Sequence, residues 1–246
     1  MSYSFAKPPY SIRGVPLYGF SSLSEFTDFL LPPQHPRCGM LVAINAEKIL
    51  TAEQDPQVQA ILSASEFNYA DGISIVRSIR KKYPGSKVTR IAGVDLWYAL
   101  MQSAGQQRIP VFLVGGQAEV LEYTCDKLRQ QWAVPVAGTQ DGYFTEQQTE
   151  GVIRAIAGSG AKIVTVAMGS PRQELFIRRC REIYPDALYM GVGGTYDVFS
   201  GRVKRAPLLW QKMGLEWLYR LIKQPSRWRR QLRLLRYQKY HWLGKL

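Results

Sequence analysis

Short apolar runs alternate with longer amphipathic stretches along most of this chain, and no other feature limits its possible folds as strongly. Runs such as LVAI (41–44) and VFLV (111–114) have the length of strands that are buried on both faces. Stretches such as AEVLEYTCDKLRQQW (118–132) have the period of a helix. Strands that alternate with helices of about 10–15 residues indicate a parallel sheet covered by helices on both faces. We therefore predict an α/β fold with a Rossmann-like, mostly parallel sheet.

The same alternation predicts the individual elements that precede residue 201. The predicted strands cover 41–44, 67–70, 88–93, 110–116, 134–138, 162–168 and 187–194. The predicted helices cover 56–64, 73–82, 94–104, 118–132, 146–157 and 171–183.

The pattern changes near Gly201, and the charge changes with it. From Arg202 onward the chain holds thirteen Lys or Arg and one acidic residue, Glu216, whereas the first 201 residues hold nineteen basic and eighteen acidic residues. Beyond Gly201 we predict helices only, which begin at Pro207, within GLEWLYRLI and after Pro225. The chain therefore divides into a nearly neutral body over 1–201 and a basic helical appendage over 202–246, and a basic block of this kind favours phosphate-bearing partners.

An apolar stripe lies beside a stripe of arginines in the last predicted helix. The apolar stripe consists of Trp228, Leu232, Leu235 and Trp242. The basic stripe consists of Arg229, Arg233 and Arg236. This composition is typical of a helix that lies on an anionic membrane surface. The alternatives are a packed terminal helix with a solvated basic edge and a helix that binds nucleic acid.

Other features fit a protein of the reducing cytoplasm that does not span a membrane. No stretch approaches the roughly 20 apolar residues that span a bilayer, and MSYSFAKPPY lacks the features of a signal peptide. The three cysteines (Cys38, Cys125 and Cys180) are far apart and form no CxxC motif, which argues against a disulfide framework or a zinc site. We expect no cofactor and no metal.

Polar or glycine-rich stretches directly follow the predicted strands. They are INAEK, YADGI, VGGQ, TQDGYF, MGSPRQE and GVGGTYDVFSG. Because ligands bind at the carboxyl ends of the strands in open α/β sheets, these stretches predict one shared crevice. The glycines before helices, such as Gly115, Gly116 and Gly169, either admit a phosphate at a helix start or only relieve a steric conflict.

We expect a carboxylate to act as the general base of any reaction at this crevice. The two histidines of the chain, His35 and His241, do not follow predicted strands. Asp71 is the leading general base, since it follows a strand and precedes Gly72. Its alternative role is that of a turn or N-cap residue, and Asp141 and Asp197 have the same ambiguity.

The chain has no GxxxxGK[ST] motif of P-loop NTPases and no GxGxxG motif of NAD-binding proteins. It has no DxD motif either, which would hold the diphosphate of a nucleotide sugar through Mg²⁺. Helix starts and Arg or Lys side chains would then stabilise such a diphosphate.

Seven stretches resemble the bacterial WecG/TagA/CpsF glycosyltransferases in order and spacing, from about residue 41 to the end of the chain. They are INAEK, YADGISIVR, VFLVGG, TQDGYF, VAMGSPRQE, YMGVGGTYDVFSG and KRAPLLWQKMGLEWLYRLIKQPSRWRRQLRL. The resemblance implies an inverting hexosyltransferase whose body binds a nucleotide sugar. It also implies a cytoplasmic protein that binds the inner face of the inner membrane peripherally. The implied reaction moves ManNAcA from UDP-ManNAcA to undecaprenyl-diphosphate-GlcNAc, giving the second lipid-linked intermediate of enterobacterial common antigen. The alternatives are a UDP-ManNAc transferase of teichoic acid linkage synthesis and a basic nucleic-acid-binding protein.

The resemblance also assigns roles to residues. Asp71 matches the proposed base and Gln173 a second polar residue of the active site, while Ala43 replaces a family threonine and Asn45 is retained. Substrate-binding positions are expected at Asn45, Gly115, Gly116, Asp141, Gly169, Ser170, Gly193, Gly194 and Asp197. Donors to the acceptor diphosphate or the membrane are expected among Arg205, Arg220, Arg227, Arg230 and Arg233. Candidates for binding the ManNAcA carboxylate are Arg77 and Arg80. The expected partners are the UDP-sugar, the polyprenyl acceptor, an anionic membrane surface and a second copy of the chain, and no nucleic acid.

Overall fold

The computed structural model describes residues 10–33, 35–223 and 228–246, without the side chains of residues 212, 220 and 229–233. Its centre is a sheet of six parallel strands in the order β4-β3-β8-β7-β5-β6. A short antiparallel hairpin, β1–β2, precedes it. The strands are β1 (Tyr10–Ile12), β2 (Val15–Leu17), β3 (Gly39–Ile44), β4 (Phe67–Ala70), β5 (Val111–Gly115), β6 (Val136–Gln140), β7 (Ile163–Ala167) and β8 (Leu188–Gly191).

Helices cover both faces of this sheet, as the alternating burial of the strands requires. In β3, Met40, Val42 and Ile44 pack into the core under one face, and Leu41 packs into the core under the other. The first face carries α2 (Ala46–Ala52), α3 (Pro56–Ala64), α4 (Ile73–Lys82), α7 (Glu146–Gly158) and α8 (Arg172–Ile183). The second face carries α1 (Leu23–Leu30), α5 (Gly93–Gln107), α6 (Ala118–Trp132) and α9 (Thr195–Phe199).

This architecture confirms the predicted α/β fold with a parallel sheet and helices on both faces. The predicted helices over 56–64, 73–82 and 118–132 have the same bounds in the structure as α3, α4 and α6. The predictions did not include the β1–β2 hairpin, α1 or α2, which the chain forms before and just after β3.

The strand predicted over 88–93 is wrong. This segment lies beside β4 but makes only single backbone hydrogen bonds, from Thr89 N to Phe20 O and from Ile91 N to Ala70 O, at 3.0 Å each. Its apolar residues, Val88 and Ile91, are buried. A strand ladder does not continue because the chain enters α5 at Gly93. The apolar pattern therefore predicted the burial of this segment correctly and its secondary structure incorrectly.

Among the described residues after Gly201 the structure has three helices, as predicted: α10 (Leu208–Lys212), α11 (Glu216–Lys223) and α12 (Trp228–Trp242). The last helix packs against the first face of the body, where Tyr237 is buried and its hydroxyl donates to Ser78 Oγ at 2.9 Å. In the described part of the chain, no helix is both long enough and apolar enough to cross a bilayer. The division into domains at residue 201 stays a prediction.

Candidate functional site

The candidate site lies at the carboxyl edge of the sheet, which is where the sequence predicted a ligand-binding crevice. The candidate residues of the body follow the ends of six neighbouring parallel strands, so they line one edge. In the order of the strands, they are Asp71 after β4, Asn45 after β3, Gly193, Gly194 and Asp197 after β8, Gly169, Ser170 and Gln173 after β7, Gly115 and Gly116 at β5, and Asp141 after β6.

Asp71 is held by its backbone and by one carboxylate oxygen. Its N–H donates to Ile44 O at 3.0 Å, and its own carbonyl accepts from Arg90 Nε at 2.8 Å. Its Oδ1 accepts the backbone N–H of Gly93, the first residue of α5, at 3.0 Å. The carboxylate therefore satisfies the start of α5 rather than that of α4, whose N-cap is Gly72. These three bonds fix the position of Asp71 at the carboxyl edge of the sheet.

A neutral phenol lies beside this carboxylate. The hydroxyl of Tyr69 is buried, and it has no hydrogen-bond partner among the residues that the structure describes. It lies against Gly93, where an added Cβ would be 3.3 Å from the hydroxyl oxygen. Burial, with a smaller contribution from the negative charge of Asp71, raises the pKa of Tyr69 well above its usual value. The group thus keeps its proton and can donate it in a hydrogen bond.

Asn45 connects the Asp71 loop to a buried ion pair. Its backbone and Cβ pack against Gly72, and its Oδ1 caps α2 by accepting from Lys48 N at 2.9 Å. The side chain of Lys48 reaches Glu174 Oε1 on α8 at 2.6 Å, and both side chains are at most 10% exposed. The other oxygen of Glu174 is buried and has no partner in the described part of the chain. The ion pair joins the ends of β3 and β7 across β8.

Gln173 joins α8 to the loop that follows β8. Its Oε1 accepts from Gly193 N at 3.1 Å, and its Nε2 donates to Glu174 Oε1 at 3.1 Å. A Cβ at Gly191 would lie only 2.4 Å from Gln173 Nε2, so a residue with a side chain would displace this amide. The structure therefore brings Gln173 and Gly193 together, and it connects them to Asn45 through Lys48 and Glu174.

The other half of the edge holds Gly115, Gly116 and Asp141. Gly115 has a φ of +101°, and a Cβ there would lie 2.3 Å from Ala167 O, so the steric explanation applies to this glycine. Five strand spacings separate Asp141 from Asp71, which is about 24 Å. Asp141 lines a hollow of about 200 Å³ between α6 and β6. This hollow lies beside the last strand in the sheet order, β6, whereas Asp71 follows the first, β4. The single crevice shared by Asp71, Gln173 and the glycine-bearing loops stays a prediction.

Three of the helices that begin at this edge have no side-chain cap on the backbone N–H groups of their first turns, as far as the chain is described. They are α4, α6 and α8. Such helix starts attract anions through unpaired N–H groups and the helix dipole. Near the starts of α8 and α9, a Cβ at Gly169 or Gly193 would meet nothing within 4 Å, so a ligand has room there. Among the described residues, no cluster of three or more His, Cys, Asp or Glu could hold a metal ion.

The appendage reaches Asp71 through a network of charged residues. Glu216 on α11 accepts from Arg90, whose Nε binds the Asp71 carbonyl, and from Arg205 Nε at 3.0 Å. Arg205 also binds Asp95 on α5 through both terminal nitrogens, at 2.5 and 2.9 Å. Arg205 thus lies next to the site, with three of its N–H groups committed to carboxylates.

The other predicted basic residues are described only in part. Arg227 lies outside the described residues, as do the side chains of Arg220, Arg230 and Arg233. Arg80 donates through Nε and Nη2 to Val88 O, at 3.1 and 2.7 Å, and so lies away from the start of α4. Arg77 is exposed on α4, near His241.

Exposed large apolar side chains concentrate on the appendage. Ten of the thirteen exposed side chains of this kind lie at or after Val203, in the part of the chain that the structure describes. They are Val203, Leu208, Leu209, Met213, Trp217, Ile222, Trp228, Leu235, Trp242 and Leu243. Trp228, Leu235 and Trp242 of the predicted apolar stripe of α12 are among them, and the side chain of Leu232, its fourth member, lies outside the described residues. Exposed apolar side chains in such number make the appendage a candidate interaction surface.

One family model matches the chain. Its description is Glycosyl transferase WecG/TagA/CpsF family, and the match covers residues 11–243. It begins at β1, well before residue 41, where the resembling stretches begin, and it ends in the residues just after α12. The match thus includes both the carboxyl edge of the sheet and the appendage.

Proposed function

Because the chain belongs to the WecG/TagA/CpsF family of glycosyltransferases, we propose that it moves ManNAcA from UDP-ManNAcA to the GlcNAc of undecaprenyl-diphosphate-GlcNAc. The product is then the second lipid-linked intermediate of enterobacterial common antigen. The reaction takes place at the cytoplasmic face of the inner membrane, where the polyprenyl acceptor lies. The family supports the transfer of a sugar from a nucleotide donor to an acceptor, and the choice of these substrates is our proposal.

The proposed chemistry is one displacement with inversion. The Asp71 carboxylate accepts the proton of an acceptor hydroxyl while the oxygen of that hydroxyl forms a bond to the anomeric carbon. The bond between the anomeric carbon and the phosphate oxygen breaks, and UDP leaves with the electron pair. The developing charge on the diphosphate meets the N–H groups at the starts of α6 and α8.

One observation carries this proposal: Asp71 lies at the carboxyl edge of the sheet and is bonded, through Arg90 and Glu216, to the appendage that holds most of the exposed large apolar side chains of the described residues. A body with a carboxylate base at the carboxyl edge of a parallel sheet suits a sugar nucleotide. A cationic appendage with exposed Trp and Leu suits an acceptor that is held in a bilayer, and each Lys or Arg near anionic lipid contributes about 1 kcal/mol to binding.

The test is a product assay with the purified full chain. We expect UDP-ManNAcA and GlcNAc-diphosphate-undecaprenol to give a disaccharide-linked lipid and UDP, with the anomeric centre inverted by NMR. The assay is run with and without a chelator, and against UDP-ManNAc and UDP-GlcNAc as donors. Equal turnover of UDP-ManNAc would assign the uncharged sugar instead, and no turnover with any UDP-sugar would refute the proposed reaction.

A further inference from the structure

Glu216 is the one acidic residue of the appendage, and it is nearly buried. It stands among thirteen Lys and Arg from Arg202 onward, yet it is only 7% exposed. An acid that served only to reduce the charge of the appendage would lie at the surface, because removing a carboxylate from water costs free energy. The position of Glu216 between Arg90 and Arg205 indicates a specific task.

Two hydrogen bonds connect Glu216 to the backbone of the proposed base, Asp71, through Arg90. Glu216 Oε2 accepts from Arg90 Nη2, and Arg90 Nε donates to the Asp71 carbonyl at 2.8 Å. Three residues after Arg90 the chain reaches Gly93, whose N–H donates to Asp71 Oδ1 at 3.0 Å. Arg90 is thus bonded to the backbone of Asp71 on one side and to the appendage on the other.

The second oxygen of Glu216 holds Arg205 within the appendage, and Arg205 in turn fixes the appendage to Asp95 of the body. Glu216 Oε1 accepts from Arg205 Nε at 3.0 Å, and Arg205 binds both oxygens of Asp95, near the start of α5. Burial alone would raise the pKa of Glu216, but the hydrogen bonds from Arg90 and Arg205 outweigh it and hold this pKa below its usual value. The carboxylate therefore stays ionised, and loss of its charge would leave Arg90 without its counterion.

We propose that Glu216 is a positioning residue, which holds Arg90 so that the Asp71 loop has the geometry required for proton transfer. The proposal rests on the proposed function of Asp71. The appendage then has two tasks, because it presents apolar side chains to a membrane and also completes the support of the base. An appendage that leaves its seat on the body takes Glu216 with it and releases the Asp71 loop.

The experiment compares Glu216→Gln, Arg90→Gln and the double variant in the product assay. Because a displacement of about 1 Å can cost about 100-fold in rate, we expect Glu216→Gln to lower kcat about 10- to 100-fold. The Kd of UDP and the sedimentation with anionic vesicles are expected to stay within about twofold of wild type. The double variant is expected to be no slower than Arg90→Gln, since both act through one contact. Glu216→Asp, which keeps the charge, is expected to recover part of the loss.

The matched control is Glu53→Gln. Glu53 also joins the body to the appendage, through Arg236 and Tyr240 of α12, but it lies at the end of α2 remote from Asn45. It is expected to leave kcat unchanged. Circular dichroism checks that each variant is folded, and Arg90→Lys replaces Glu216→Gln if that variant unfolds.

Three results would overturn the positioning role: wild-type kcat in Glu216→Gln, losses in the two single variants that multiply in the double variant, or a fall in vesicle binding that accounts for the lost rate. The proposed function fails separately, if the wild-type chain transfers no sugar or if Asp71→Asn is fully active.

Discussion

Asp71 has a structural bond as well as the proposed chemical role, and the two can be separated by experiment. Its Oδ1 accepts from the N–H of Gly93, and an asparagine side-chain oxygen can accept that same bond. Asp71→Asn therefore keeps the start of α5 and removes the basic carboxylate. A position where aspartate served only as a turn residue would tolerate this change.

We expect Asp71→Asn to lower kcat by about 10²–10⁴, the usual contribution of a positioned general base. The Kd of UDP, measured by calorimetry, is expected to change by less than about threefold, because the carboxylate acts on the acceptor hydroxyl. Asp55→Asn is the control, since Asp55 caps α3 and asparagine caps equally well. Turnover near the wild-type rate in Asp71→Asn would remove this residue from the base role.

The residues that the sequence predicted and those that it missed differ in the range of their contacts. Asp71, Asn45 and Gln173 were predicted because each directly follows a strand or matches a family motif. The sequence did not predict the Lys48–Glu174 and Arg90–Glu216 pairs, although Lys48 lies in INAEK and Glu174 lies in MGSPRQE. Each pair joins residues 126 positions apart, and only the folded sheet brings them together. Local patterns contain no signal for such pairs.

At the scale of elements, the parallel sheet was predictable because strands that are buried on both faces read as continuous apolar runs. The segment over 88–93 has the same composition and is not a strand, since its backbone makes isolated bonds to Phe20 and Ala70. The stripes of α12 were also visible in the sequence. The orientation of α12 was not, because it depends on Tyr237, which is buried against the body.

The exposed stripe of α12 leads to a prediction about membrane binding. Leu235 and Trp242 are 65% and 75% exposed, so replacing both with serine is expected to leave the urea midpoint of the chain unchanged. Burial of one large apolar side chain contributes about 1.5–3 kcal/mol, so we expect the affinity for anionic vesicles to fall at least about tenfold. Co-sedimentation with phosphatidylglycerol vesicles measures it.

The control for this double variant is Tyr123→Ser, which removes a comparably exposed aromatic side chain from α6 in the body. It is expected to leave vesicle binding unchanged. If the serine variant of α12 sedimented as well as wild type, the exposed stripe would not be the membrane contact. The effect of salt separates the two contributions, because the basic side chains lose their attraction as ionic strength rises and the apolar contacts do not.

At the scale of the whole molecule, charge and apolar exposure are unevenly distributed in the same way. The appendage from Arg202 onward has a net charge of +12, against +1 for the rest of the chain, and it holds ten of the thirteen exposed large apolar side chains that are described. The body uses its apolar residues in two cores, one on each face of the sheet. The molecule thus separates a packed body from the surface that we propose binds a membrane, with Glu216 buried between Arg90 of the body and Arg205.

The two cores also contain groups that lower the stability of the chain in alkali. Burial raises the pKa of Cys125 from 9.0 to about 11 and that of Cys180 from 9.0 to about 12. Both thiols keep their protons to a higher pH in the folded chain than in the unfolded chain. Their contribution is therefore complete below about pH 9 and is lost as pH rises from about 9 to 12, at about 1.4 kcal/mol per pH unit for each thiol.

Urea unfolding at pH 7, 9, 10 and 11 tests this account. We expect the free energy of unfolding to fall steeply above pH 9 in wild type, and Cys180→Ala to reduce that slope by about 1.4 kcal/mol per pH unit. Ile177→Val, a neighbour on α8 that is fully buried, also leaves a small cavity and is expected to lower stability equally at every pH. An unchanged slope in Cys180→Ala would show that the thiol on α8 is not linked to folding, and the alkaline loss would then belong to other buried groups such as Tyr237, whose pKa burial raises to about 12.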